Sequence, residues 1–413
     1  MKPFLELLSA SQAYRMIDAA EPTEIIVCAA IDAIGMVLAD EVRAGDDIPH
    51  FFRSNMDGFA VRAEDTFTAG DNSAVRMSIA GTVAMGAEAT QPLPPGMAIR
   101  VSTGSMMPPD SDAVVIIENT EEPVPDEILV RAKVLPRQNT VAIGEDMRAG
   151  DLVFEAGHRL RPVDAGVLSG VGVIQVRVRR PVRIGVVATG DEIVEPDAPL
   201  PPGSVRNVNQ YLMRAVALSF GNHVEDFGVI GDDEDAFSRT LERAVEDCDV
   251  LFISGGSSRG ARDLTVGSVS AMESAEVLFH GLAIAPGKPT LLARAGGLHV
   301  MGLPGNPAAA AVVMHLFGSA LVGSLEGEPV ERILLRRPRV RARLDEDVAS
   351  PAGREDYLRV RLEPGLGLDL PIARPVRGKS VAISTIARAD GLLAVPASTE
   401  GLAAGSEVEV VLL

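Results

Sequence analysis

The sequence is short of positive charge and almost empty of cysteine, and each shortage excludes a class of function. Lys and Arg total 38 against 57 Asp and Glu, a formal net charge of −19. A general nucleic-acid binder needs a basic face to displace counterions, so no nucleic-acid partner is expected. An anionic substrate would have to meet helix N-termini, a few placed cations or a bridging divalent ion. The two cysteines, Cys28 and Cys248, lack metal-ligand spacing. Both lie in helix-like runs and read as buried thiols of a reducing, cytoplasmic compartment. Lysine is scarce as well: four stand against thirty-four arginines, which singles out each lysine for inspection. No signal peptide is visible, since residues 1–11 carry one Lys, then Glu6, and no cleavage pattern. Residues 301–325 carry no formal charge and are long enough to cross a bilayer. Pro304, Asn306 and Pro307 interrupt them, and the apolar remainder holds His315 and Ser319. They read as the buried helix of a domain, and no membrane partner is expected.

What the chain does have is apolar material: 46% hydrophobic and 23% charged residues over 413 positions, enough for two to four cored domains. Residues 1–43 read as helical, with Ser9 and Ser11 as caps and a second run from Ile25 to Ile34 at spacings of three and four. Residues 44–140 alternate short apolar runs with Gly, Pro and Asp clusters and read as an all-β module. Residues 141–180 carry Gly-rich β-like segments and complete a first domain around that insertion. From 181 to 328 strand and helix patterns alternate, the mark of a parallel or mixed sheet covered on both faces. One strand is expected over 277–284. Residues 329–413 hold short strand-like runs of a small barrel. The expected fold is multidomain α/β. An elongated N-terminal domain (1–43 plus 141–180) carries an inserted β domain (44–140). An α/β sheet domain (181–328) and a C-terminal β-barrel (329–413) follow.

In an open α/β sheet, ligands bind beyond the carboxyl ends of the strands. There the sequence places Thr189-Gly190-Asp191-Glu192, Gly231-Asp232-Asp233, Ser254-Gly255-Gly256 with Arg259 and Asp263 beyond, and Pro304-Gly305-Asn306-Pro307. Glycine lets backbone N–H groups approach a phosphate with no Cβ in the way. Asn306 before Pro307 starts a helix whose N-terminus favours anions. Asp232 and Asp263 offer oxygen to a hard cation such as Mg²⁺. Asp233 reads as an N-cap. Each string alone is an ordinary turn; four on one sheet edge suit a phosphorylated ligand held with a divalent ion.

Read together, these strings resemble the molybdenum-insertase family, the molybdopterin molybdenumtransferases, which includes the C-terminal domain of gephyrin. The matching strings are SNMDGFAV at 54–61, RVSTGSMMPPDSDAVV at 100–115, GEDMRAG at 144–150, VVATGDEI at 186–193, SGG at 254–256, PGKP at 286–289, GLPGNPAAA at 302–310, GKS at 378–380 and ADG at 389–391. The resemblance implies a homodimer that inserts molybdenum from molybdate into adenylylated molybdopterin with Mg²⁺, releasing AMP and molybdenum cofactor. It implies functional roles for Asp57 and Thr103 in the β domain and for Asp146 in the GED string. Glu192, Asp232 and Asp263 fall at the family's acidic positions, Lys288 at the lysine of PGKP and Ser380 near its C-terminal serine. In a dimer the β-domain residues of one subunit would face the α/β domain of the other. The molybdopterin adenylyltransferase is an implied partner.

The chain also departs from the pattern. Gly281 and Ala285 stand where many relatives carry basic residues, Val208 where Ser or Thr is common, and Ser257-Ser258-Arg259 where Val-Ser often follows SGG. A charge-assisted contact is worth about 1.5–3 kcal/mol when desolvated, so these losses weaken an oxyanion site unless Arg259 and Arg262 compensate. The alternatives are a tungstate-inserting enzyme, a molybdopterin adenylyltransferase and a non-catalytic pterin-binding scaffold.

Overall fold

The structure is a computed structural model of the 413-residue chain, and it describes residues 7–255, 259–272, 274–365, 367 and 369–413, with the backbone alone over 259–264. The fold divides into two compact units, one of residues 1–40, 156–162 and 175–413, the other of residues 41–155 and 163–174.

In the first unit a mixed six-stranded sheet runs in the order Val224–Ile230, Ile184–Thr189, Val250–Gly255, Leu298–Leu303, Leu291–Ala295, Glu276–His280. The first four strands are parallel, and Leu291–Ala295 lies antiparallel between its neighbours. Alternate residues of each strand feed opposite faces. Val186, Phe252 and Met301 pack beneath the helices Ala10–Asp18, Asn209–Ser219 and 307–325. Val187, Ile253 and Val300 face Phe237, Leu241 and Ala244 of the helix Glu234–Asp247. The 19-residue helix Pro307–Leu325 is apolar enough to cross a membrane, yet 89% of it is buried among these elements. It is a core helix, with one π turn over Met314–Gly318.

Helix Ala10–Asp18 starts where the sequence predicts, on a reciprocal cap: the Gln12 N–H donates to Ser9 Oγ at 3.2 Å and the Ser9 N–H to Gln12 Oε1 at 2.8 Å. The second predicted helix is not there. Ile25–Ala29 is a strand, paired antiparallel with Gln175–Arg179. The run Ile25-Ile26-Val27 is β-branched, and its partner alternates polar and apolar, so pairing overrides the helical spacing. Cys28 therefore sits half-buried on a strand, not in a helix. Cys248 is buried at the end of helix Glu234–Asp247, and burial pushes its thiol up to about 12. Within 141–180 the predicted β segments are Leu152–Phe154 and Gln175–Arg179, and between them lies one unpredicted helix, Pro162–Gly170, opened by a proline at its first position.

The C-terminal strands close on themselves. Glu355–Glu363, Ile372–Pro375, Arg339–Leu344, Glu407–Leu412 and Gly391–Val395 form a ring in which the last strand pairs back with the first. Its core is Ala342, Leu344, Val360, Ala373, Leu393 and Val410. The strand predicted over 277–284 is split between two sheets. Glu276–His280 ends the α/β sheet, while Ile284–Ala285 pairs with Glu355–Glu363 of the barrel. A buried charge network holds segment 156–162 to this unit. Arg159 donates to Glu326 at 2.6 Å and to Glu328 at 2.7 Å, and Arg336 donates to Glu328 at 2.8 Å.

The second unit centres on a six-stranded sheet in the order Ala113–Ile116, Gly58–Val61, Met97–Val101, Val75–Thr82, Glu127–Val130, Thr120–Val124. Phe59, Val61, Met77, Val115, Ile128 and Val130 fill its core. Gly58 is required there: a Cβ would stand 2.0 Å from the Val115 carbonyl oxygen.

Candidate active site

At the carboxyl edge of the α/β sheet the parallel strands Ile184–Thr189 and Val224–Ile230 end in short polar loops that are bonded to one another. The Gly190 N–H donates to the Ile230 carbonyl at 3.0 Å, and the Asp232 N–H to Asp191 Oδ1 at 3.1 Å. Glycine makes this tight crossing possible. A Cβ on Gly190 would lie 2.6 Å from Glu192 Oε2, and one on Gly231 2.7 Å from Asp191 Oδ1. Burial, then the charges of Asp191 and Glu192, push the Asp232 carboxyl above its usual range. Asp233 caps the following helix through the Ala236 N–H at 2.8 Å, as its sequence position predicts.

Beside these ends lies a cleft of about 550 Å³. Gly255, Pro304, Gly305, Asn306, Lys288 and Ser380 all line it, so six of the sequence-predicted residues meet in one concavity. The loop that carries Lys288 is fixed by Gly287, where a Cβ would stand 2.6 Å from Ile284 Cδ1. Lys288 is exposed; its carbonyl accepts from the Leu282 N–H at 2.9 Å, and its ammonium has no hydrogen bond or ion pair among the described residues. Asn306 does not cap its helix with its side chain. Its Nδ2 donates instead to Ser380 Oγ at 2.9 Å, while the Ala308 N–H donates to the Ser380 carbonyl at 3.0 Å. The barrel loop thus covers part of that helix start. Ser254 lies just behind the cleft, buried, with its Oγ accepting from Asn209 Nδ2 at 2.6 Å. Glu192 and Asp232 belong to the neighbouring strand ends and do not line the cleft. Among the described residues no three His, Cys, Asp or Glu side chains form a ready metal cage. Gly256, Ser257 and Ser258 lie outside the described residues, as do the side chains of Arg259, Arg262 and Asp263.

Two residues of this region escape a reading of the sequence. Arg354 lines the cleft, its guanidinium held to Asp356 at 2.8 Å. Nothing marks it in the sequence, because it precedes the strand Glu355–Glu363 in a segment rich in charged residues. Asn209 stands at a helix start and ties two loops together. The positions of the missing cations are clear: Ala285 lines the cleft without charge, and Gly281 is a left-handed turn residue at φ +114° whose N–H donates to the Thr290 carbonyl at 2.8 Å.

In the second unit the structure brings Asp57 and Thr103 together. The Thr103 N–H donates to Asp57 Oδ1 at 2.8 Å, and both side chains are exposed. The short strand Arg53–Ser54 lies between the 104–106 turn and the strand Thr140–Val141. That ribbon leads directly into the turn of Asp146, which is also exposed.

Three family regions match the chain. Residues 6–172 match the "MoeA N-terminal region (domain I and II)", 185–323 the "Probable molybdopterin binding domain" and 341–413 the "MoeA C-terminal region (domain IV)". The chain is 31% identical to a molybdopterin molybdenumtransferase of Bacillus subtilis over 92% of its length and 88% of the relative's. It is 31% identical to molybdopterin molybdenumtransferase 2 of Mycobacterium tuberculosis over 92% of both chains. A crystal structure of the molybdopterin biosynthesis MoeA protein from Pyrococcus horikoshii superimposes with a TM-score of 0.78 at 32% identity, covering 98% of this chain and 99% of that one. Fold and sheet-edge cleft therefore define a multidomain α/β protein of molybdopterin biosynthesis type. The chain belongs to the MoeA family, whose named relatives are transferases.

Proposed function

We propose that the chain is a cytoplasmic molybdopterin molybdenumtransferase that inserts molybdenum from molybdate into adenylylated molybdopterin, releasing AMP and molybdenum cofactor. The observation that carries the reading is the cleft. A lysine unpaired among the described residues, two glycine positions and the start of a 19-residue helix converge there at the carboxyl edge of the sheet. Both substrates are anions, and this is the part of an acidic molecule equipped to receive one.

Lys288 supplies the compact charge, and the backbone at Gly255 and Gly305 supplies close approach for a phosphate or oxyanion. Ser380 and Asn306 orient it, and Ser254, Gly256 and Arg259 complete the loop side. Pro304 fixes the turn. In the balanced reaction, water cleaves the phosphoanhydride bond and AMP leaves. The two thiols replace one oxide of molybdate, which departs as water with both thiol protons.

The acidic strand ends fit Mg²⁺. Asp232 is disfavoured as an anion by its burial and its carboxylate neighbours, a situation a divalent cation relieves. Mg²⁺ characteristically takes one or two carboxylates and completes its shell with water and phosphate oxygens, so a full protein cage is not needed. Asp232 and Asp263 would hold it, with Glu192 beside them, and it would neutralise phosphate charge. Asp57 and Thr103, joined by a hydrogen bond, and Asp146 of the same unit are assigned to a site shared between two subunits of a homodimer. The molybdopterin adenylyltransferase, as supplier of the substrate, is the proposed partner enzyme.

The test is turnover of the purified chain with adenylylated molybdopterin, molybdate and Mg²⁺. AMP release that stops in excess chelator supports the reading. Binding of the pterin without turnover under any of these conditions would identify a scaffold instead.

A further inference from the structure

We infer that Asn209 is a positioning residue that holds the two halves of the anion-facing edge at a fixed spacing. Its side-chain amide donates twice: to Ser254 Oγ at 2.6 Å and to the Gly305 carbonyl at 2.8 Å. A carbonyl oxygen can only accept, so the nitrogen end of the amide must face Gly305 and the orientation of the side chain is determined. One acceptor ends the strand Val250–Gly255, and the other sits in the turn that opens helix Pro307–Leu325. These two segments contribute Gly255 and Gly305, with Asn306, to the lining of the cleft. The chain of bonds continues, since Asn306 Nδ2 reaches Ser380 Oγ at 2.9 Å. The Asn209 amide thus links the strand end to the turn, and the Asn306 amide links the turn to the barrel loop.

The other end of the same amide shows what this link costs. Asn209 Oδ1 is buried and has no hydrogen-bond partner among the described residues. Burial of an unpaired carbonyl is unfavourable, and an apolar side chain at a helix start would avoid it. An amide is the right group only where two donors are needed on one short stem. A carboxylate of the same shape would set a negative oxygen against the Gly305 carbonyl.

The inference rests on the cleft being the ligand site proposed above. Its role is geometric: Asn209 does not line the cleft, and it acts through Gly255, Gly305 and Asn306. Loss of the link should widen the spacing of the two loops and weaken ligand binding, while the sheet beneath stays folded.

The full-length chain, Asn209→Ala and Asn209→Asp are compared by melting temperature, by calorimetric titration with AMP and by steady-state turnover of adenylylated molybdopterin. The expected result is a tenfold or greater rise in the AMP dissociation constant and in KM for both variants. The fall in kcat should be smaller and the melting temperature within about 3 °C of the parent. The aspartate variant adds a signature that a purely structural role lacks. A protonated carboxyl can donate to the Gly305 carbonyl, so its defect should shrink as pH is lowered from 8 to 5.5 relative to the alanine variant. Parent-like affinity in both variants overturns the inference and leaves the proposed function standing. A defect confined to melting temperature and kcat, with KM unmoved, also overturns it. A parent chain that neither binds AMP nor turns over the pterin overturns both readings.

Discussion

Lys288 concentrates the functional argument at the scale of one residue. It is the lysine of the PGKP string, its backbone is held by flanking prolines and by a glycine that admits no Cβ, and its ammonium is unpaired among the described residues. With Gly281 and Ala285 offering no charge, its loss cannot be offset by those positions. Lys288→Ala should raise the molybdate or pterin requirement by about tenfold or more, the equivalent of about 1.4 kcal/mol. Lys288→Arg should recover only part, because a planar fork replaces a compact point charge. Steady-state titration of each substrate decides it, and unchanged requirements in the alanine variant count against the assignment. Asp232 gives a pH test with a definite sign. Its folded-state pKa is raised by burial and by the Asp191 and Glu192 charges, so the protonated form is favoured and a proton competes with the cation. The Mg²⁺ concentration for half-maximal activity should rise as pH is lowered toward the raised carboxylate range of Asp232. Asp232→Asn should lower activity strongly while the far-ultraviolet circular dichroism spectrum is retained. A flat pH profile of the Mg²⁺ requirement argues against the metal assignment.

The elements carry the site because each ends in the right place. Asp249, just before the strand Val250–Gly255, anchors the amino edge. It receives two bonds from Arg180, both at 2.9 Å, and one from the Arg183 N–H at 2.7 Å. Burial alone would raise its pKa; the Arg180 and Arg183 hydrogen bonds outweigh burial and hold the carboxyl below its usual range. A depressed folded-state pKa means stability that is present above the unfolded value, about 3.9, and is lost as pH falls through the folded one. Asp249→Asn should therefore cost about 1.5–3 kcal/mol near neutral pH. The gap from the parent should close below about pH 4, as read by denaturant unfolding at several pH values. A gap of constant size across that range contradicts the linkage.

Much of this scale is legible in the sequence. The alternation from 181 onward yields the sheet and its helices, and the loops singled out by glycine and short polar residues do meet at one edge. Where the reading fails, a longer-range partner decides. Ile25–Ala29 has helical spacing but finds Gln175–Arg179, and no local pattern can report a partner some 150 residues away. The run 277–284 is apolar but for His280 and Gly281, and apolar residues on both sides of that turn hide that Ile284–Ala285 leaves one sheet for another. Asn209 and Arg354 are invisible for the same reason, since their importance lies in what they touch.

Two compact units and three family regions make up the molecule, and the residues with candidate roles fall in both units. Asp57 and Thr103 are joined by a hydrogen bond in one unit, while Lys288, Asn306 and Ser380 share a cleft in the other. If active sites are shared between subunits, then Asp57→Ala and Asp263→Ala proteins, each inactive alone, should regain activity when mixed and allowed to exchange. Up to about a quarter of the parent activity follows if half the dimers are mixed and each mixed dimer holds one intact site. No recovery after exchange has been verified by mass spectrometry rules the sharing out.

The central claim is that this chain couples release of AMP to insertion of molybdenum. Purified protein with adenylylated molybdopterin, Mg²⁺ and molybdate should therefore be assayed for both products in the same sample. AMP and molybdenum cofactor should form in equal amounts, with cofactor formation abolished when molybdate is omitted. Consumption of ATP with free molybdopterin, or AMP without any molybdenum bound to the pterin, would contradict it.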